Sequence, residues 1–227
     1  MNINQNLNRY YKQYMKPLNK YIQEKLIINK DYRDATIVVK SFDELRKIIE
    51  DRYDKFGAGT KQNTIDFNDI DVSNLDSLCN EKNKGIFEDK YFKYIDISDW
   101  NVSNIKSMRG MFWGCLELKS VGDLSKWDVS NVRDMSFMFY YCENFNQNIS
   151  KLNVSNVTNM RSMFALCESF NQDLSGWNVS SVNDMSFMFY KCKKFNQDIS
   201  NWDVSKVRNN YMFDNCPIKN EYKPKFK

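Results

Sequence analysis

Residues Trp127–Ser150 read W-D-V-S-N-V-R-D-M-S-F-M-F-Y-Y-C-E-N-F-N-Q-N-I-S, and the same frame returns along most of the chain. Trp177–Ser200 reads W-N-V-S-S-V-N-D-M-S-F-M-F-Y-K-C-K-K-F-N-Q-D-I-S. Leu152–Ser175 repeats it with leucine in the tryptophan slot, and Trp100 and Trp202 open two further copies. The opening positions, 100, 127, 152, 177 and 202, settle to a period of 25 residues. A fixed period between roughly 20 and 50 residues is the signature of a solenoid or propeller.

The period implies a geometry. Three positions before each opening residue stands an apolar one: Ile97, Leu124, Ile149, Leu174 or Ile199. Two positions after it comes Val102, Val129, Val154, Val179 or Val204. This L-x-x-L-x-L pattern is the strand segment of a leucine-rich repeat, and it predicts a short strand at each W-D-V or its equivalent. Further on, Met135, Met138, Phe139 and Cys142 sit at i, i+3, i+4 and i+7, the spacing of one helix face. Ser107, Asp134, Asn159, Asp184 and Asn209 precede these faces and are N-cap types. The expected fold class is therefore α/β: a leucine-rich-repeat-like solenoid of about six ~25-residue rungs, each a short parallel strand plus a short helix.

These W-D-V-S-N-V…D-M-S-x-M-F-x-x-C…F-N-Q-D-I-S units resemble the BspA-type leucine-rich-repeat surface proteins over about Asn63 to Cys216. The resemblance implies a repeat fold with a surface or interaction role, and it carries no catalytic residue across.

Three regions are expected. Residues 1–62 form an N-terminal helical and capping region, 63–216 the solenoid, and 217–227 a basic tail. Leu7, Tyr10, Tyr11, Tyr14, Leu18, Tyr21, Ile22 and Leu26 recur at helical spacing opposite Lys12, Lys16, Lys20 and Lys25, with Pro17 interrupting. Ala35–Val39 is a strand signal. Ser41 and Glu44 make a capping box for a helix that Gly57 stops. Such a helix can cover the open end of a solenoid. The first rung is degenerate, and the polar run Asn80–Lys90 reads as a loop insertion.

Composition narrows the chemistry. The 227 residues include no histidine and seven scattered glycines, so no Ser-His-Asp or Cys-His site and no phosphate-cradling loop is available. The chain is read as no enzyme, with no cofactor, no metal and no small-molecule substrate. Net charge is +4, and residues 1–40 hold eight Lys or Arg against three acidic residues. The remainder holds 25 against 26, so nucleic acid is disfavoured. Contact of residues 1–34 with acidic membrane or nucleic acid is the alternative to a protein partner. No apolar run approaches the ~18 residues of a membrane span, and Met1–Asn8 lacks the marks of a signal peptide. Localisation stays open between the cell surface, which the resemblance implies, and the cytoplasm.

Cys115, Cys142, Cys167, Cys192 and Cys216 share one repeat position. They read as a buried ladder of small hydrophobes, with rung-to-rung disulfides as the alternative. Columns of Asp or Asn suit turn hydrogen bonding, with calcium as the alternative. Residues that vary between rungs are the better place for recognition. Trp113, Phe137, Tyr140, Tyr141, Phe187 and Tyr190 fall away from the Met/Phe face and are the candidate partner-binding residues.

Overall fold

A computed structural model describes residues 36–207 and 211–226. The pattern read over residues 4–28, the basic segment 1–34, and Asn209 lie outside the described residues. The chain divides into two compact units, Met1–Ile37 and Val38–Lys227. The cap helix and the repeats belong to the second.

The start follows the local signals. Helix α1 runs Phe42–Phe56. The Ser41 hydroxyl accepts from the Glu44 N–H at 3.2 Å, and the Glu44 carboxylate accepts from the Lys40 N–H at 2.7 Å. Gly57, at φ 71°, donates its N–H to the Tyr53 carbonyl and ends the helix. Leu45 and Ile49 are fully buried. Arg52 makes two bonds to the Asp69 carboxylate, at 2.7 and 2.6 Å, and one to the Asp66 carbonyl. Arg46 donates to the carbonyls of Gly85 and Ile86. The helix therefore covers the first rung.

Four two-residue strands occur among the described residues: β1 (Ile37–Val38), β2 (Ile65–Asp66), β3 (Ile70–Asp71) and β4 (Ile95–Asp96). β2 pairs with β4 in parallel, Ile65 opposite Ile95. β1 lies beside β3, and the adjoining Val39 N–H donates to the Asp71 carbonyl. β3 occupies the W-D-V slot of the first rung. The later W-D-V segments are not strands, contrary to the sequence expectation. There the opening residue donates its N–H three residues back, as from Trp127 to Leu124 and from Trp177 to Leu174. Ile70, which opens β3, makes the same bond to Phe67, so β3 differs from the later copies only in its pairing with β1. Side chains link the rungs instead. The indole N–H groups of Trp100, Trp127, Trp177 and Trp202 donate to the carbonyls of Phe67, Ile97, Ile149 and Leu174. Asn104, Asn131 and Asn156 donate to the carbonyls of Ser73, Ser103 and Ser130.

Among the described residues the expected short helices are also absent, because alternate N–H groups take different partners. Phe137, Phe139 and Tyr141 donate to Arg161, Met163 and Ala165 of the following rung, at 2.8–2.9 Å. Met138, Tyr140 and Cys142 donate three residues back, to Met135, Phe137 and Phe139. An α-helix sends each N–H four residues back, so half of its ladder is diverted to the next rung. Successive rungs meet here by parallel bridges, Ser77 to Ser107 to Asp134 to Asn159 to Asp184. The N-cap types in this column make turns: Asp134 accepts from the Ser136 N–H, Asn159 from Arg161 and Asp184 from Ser186.

The inward pattern survives this change. Met135, Met138, Phe139 and Cys142 are all 0% exposed. Phe112, Phe139, Phe164, Phe189 and Phe213 stack ring on ring at 5.2–5.8 Å. A second file, Phe145, Phe170 and Phe195, runs beside it at 6.0–6.1 Å. Such ring pairs add about 0.5–1.5 kcal/mol each beyond area burial.

The loop insertion is shorter than Asn80–Lys90. Cys79 and Gly85 form an antiparallel bridge around Asn80–Lys84. Ile86 and Phe87 then rejoin the core, and the Phe87 ring stacks on Phe112 at 5.2 Å. The acidic and basic residues around this pair mask it in the sequence. At the other end, residues 217–226 are tied to the last rungs. The Lys219 N–H donates to Asn196, the Ile199 N–H donates to the Tyr222 carbonyl, and Ile218 is buried.

Candidate interaction surface

The outward side chains of the turn segments are set by backbone conformation. Two columns hold left-handed residues. One contains Gly110, Phe137, Ser162 and Phe187, at φ 51–61°. The other contains Gly114, Tyr141, Leu166 and Lys191, at φ 56–72°. Glycine adopts this conformation without cost, whereas a large side chain is disfavoured. Gly110 and Gly114 thus show what the turn requires, and Phe137, Tyr141 and Phe187 are aromatic where the backbone favours none.

Five of the six candidate residues form two clusters rather than one unbroken patch, and Tyr141 belongs to neither. Trp113, Phe137 and Tyr140 are mutually packed: Trp113 stacks on Phe137 at 5.0 Å, and Tyr140 lies 4.7 Å from Trp113 and 5.7 Å from Phe137. Phe187 and Tyr190 meet edge to face at 5.9 Å. Between the clusters runs a rung with Ser162 and Ala165 in the corresponding places, both buried. All five of these aromatics are half-buried, and Tyr141 is exposed at 39%.

Three members were not singled out from the sequence. Tyr211, 55% exposed, stacks on Phe187 at 5.7 Å. The Arg109 guanidinium lies over the Phe137 ring at 4.6 Å and donates to the Ser136 hydroxyl. Arg161 lies over Phe187 at 5.7 Å. The signal was present as an alternation between rungs, R-G-M-F, S-F-M-F, R-S-M-F, S-F-M-F. Each arginine covers the aromatic of the next rung, so the surface repeats every two rungs.

The ladder cysteines face the other way. Cys115, Cys142, Cys167 and Cys192 are buried, and Cys216 and Cys79 are partly exposed; all six are free thiols. The four buried ones donate to the carbonyls of Phe87, Phe112, Phe139 and Phe164 at 2.9–3.0 Å. Burial pushes the Cys115 thiol from its ordinary value near 9 up to about 12, and raises Cys142, Cys167 and Cys192 as well. A thiol held protonated is a poor nucleophile and a poor metal ligand.

The Asp/Asn columns are engaged by the backbone. Asp128 and Asp203 accept from the N–H groups of Ser130 and Ser205, and Asp123, Asp173 and Asp198 from those of Ser125, Ser175 and Ser200. These bonds hold Asp123, Asp173 and Asp198 below the usual carboxylate range, with the serine hydroxyls second. For Asp128 the Ser130 hydroxyl comes first. Among the described residues, no group of three or more Cys, Asp or Glu is placed to hold a metal ion. Among them, too, no helix is long and apolar enough to cross a membrane.

The chain is thus a repeat protein, in which turn segments about 25 residues apart stack in register with a uniform Met/Phe/Cys inner face and a varied outer one. Residues 58–121 and 116–225 match the Mycoplasma protein family of unknown function DUF285, and the chain belongs to it. No curated protein and no solved structure matches.

Proposed function

We propose that this protein is a non-catalytic protein-interaction module, and that the half-buried aromatics of the turn segments carry recognition. We read the stacked rungs as a leucine-rich-repeat-like solenoid with turns in place of helices. The surface or adhesive role implied by the BspA-type resemblance is part of this reading. The observation that carries it is the presence of Phe137 and Phe187 at left-handed positions of the column that Gly110 opens. An aromatic held there costs roughly 1 kcal/mol or more of backbone strain. Packing on Trp113 and Tyr211 offsets part of that cost and leaves the rings displayed. Large aromatics are also the residues that most often anchor interfaces.

The test is affinity capture with the intact protein, followed by binding of the purified partner to Phe137→Ser, Tyr141→Ser and Phe187→Ser variants that remain folded. A loss of tenfold or more in at least one supports the surface. Normal binding in all three, with binding abolished by deletion of residues 1–34, would move recognition to the basic N-terminal segment.

A further inference from the structure

We infer that the two arginine-covered aromatic clusters are related subsites for carboxylate side chains on an extended polypeptide partner. This rests on the proposed aromatic surface and adds the chemistry of what it takes. The clusters share one trio of residues. Arg109 lies over Phe137 with Tyr140 beside it, and Arg161 lies over Phe187 with Tyr190 beside it. The paired residues occupy the same columns, two rungs apart.

The guanidinium groups supply the selectivity. Among the described residues, Arg109 uses one N–H, towards Ser136, and its remaining donors meet no protein acceptor. Arg161 approaches the Asp184 carboxylate only at 3.9 Å and is 43% exposed. An arginine held over an aromatic ring keeps its planar fork of donors, which matches a carboxylate through two parallel bonds. The ring beside it takes the apolar stem or an aromatic neighbour of that carboxylate. The partner this fits is an acidic chain carrying interspersed aromatic residues. Asp184 competes for Arg161, so the Arg109 subsite is the stronger. Asp134 and Asp184 keep the face near neutral overall. Binding then depends on the arginine fork rather than on bulk charge.

The geometry also provides a reporter. Trp113 belongs to the first cluster and is half-buried, whereas Trp100, Trp127, Trp177 and Trp202 are 3–6% exposed. A random copolymer of glutamate and tyrosine is titrated into the full-length protein while tryptophan emission is followed. The expected result is a saturable change that is at least tenfold weaker in Arg109→Lys and less weakened in Arg161→Lys. A lysine–tyrosine copolymer should give none. Lysine keeps the charge but not the fork, and an unchanged melting temperature confirms that these variants fold. No binding of the acidic copolymer, equal binding of the basic one, or full affinity in the Arg109→Lys/Arg161→Lys double variant overturns the inference. If the double variant binds normally while Phe137→Ser does not, the aromatic surface stands and the carboxylate assignment falls. If neither loses affinity, both fall.

Discussion

Phe137 and Met138 are neighbours in the chain, yet the first is half-buried and the second is fully buried. The difference continues through the stack. Met138's column is methionine in four successive rungs, Met111, Met138, Met163 and Met188, while Phe137's column reads Gly110, Phe137, Ser162 and Phe187. An inward residue of the turn segment packs between like neighbours above and below, which favours the same volume in successive rungs. Close-packed interiors tolerate few departures from that volume. An outward residue answers only to the left-handed backbone, and glycine answers that best. Uniformity inside is therefore explained by packing, and variation outside leaves room for recognition.

The strongest way to break this contrast is Met163→Asp. It places a charge where every rung is apolar and where exposure is 0%. A loss of about 3–5 kcal/mol is expected, the scale of an uncompensated buried charge. Thermal unfolding reads it, and an unchanged transition would mean that the inner column is misassigned.

The thiols probe the same column by pH. Raised values in the folded state mean that, above pH 9, the unfolded chain loses protons that the folded chain keeps. Their contribution is complete below about pH 9 and is lost as pH rises towards the folded value of about 12 at Cys115. The decline should approach roughly 1 kcal/mol per buried thiol per pH unit. Urea unfolding between pH 8 and 10.5 measures it. In parallel, Cys115, Cys142, Cys167 and Cys192 should react with a thiol reagent only after unfolding.

On the outer side, Phe137→Gly removes a ring stacked on Trp113 but relieves a φ of 59°. The two effects oppose each other, so stability should change by no more than about 1 kcal/mol in either direction. A much larger loss would show that the ring is a structural member like Met138. The smallest effect sharpens the contrast without touching stability. Acrylamide should quench one fraction of the tryptophan emission readily, and Trp113→Phe should remove that fraction alone. Equal quenching before and after the substitution would place Trp113 among the buried indoles.

Much of this was legible in the residues. The period, the inward columns and four of the five ladder cysteines follow from spacing, because side chains 25 residues apart occupy equivalent places; Cys216, expected to be buried with them, is partly exposed in the last rung. The cap helix was legible from Ser41, Glu44 and Gly57, whose hydrogen bonds are local. The candidate surface was only half legible. Trp113, Phe137, Tyr140, Phe187 and Tyr190 were marked by their absence from the inward pattern. Their division into two clusters, and the arginines over them, depend on side chains from adjacent rungs.

The sequence by itself determined which residues face the core, since i, i+3, i+4 and i+7 spacing turns the same side chains inward in a helix and in this turn ladder alike. Only the tertiary structure decided between the two. Phe137, Phe139 and Tyr141 find their carbonyl partners in the next rung, and once those bonds form the helical ladder cannot close. The same holds for the W-D-V segments. β3 is a strand because β1 lies beside it, whereas the later copies keep the same turn bond, as from Trp127 to Leu124, with no strand paired to them.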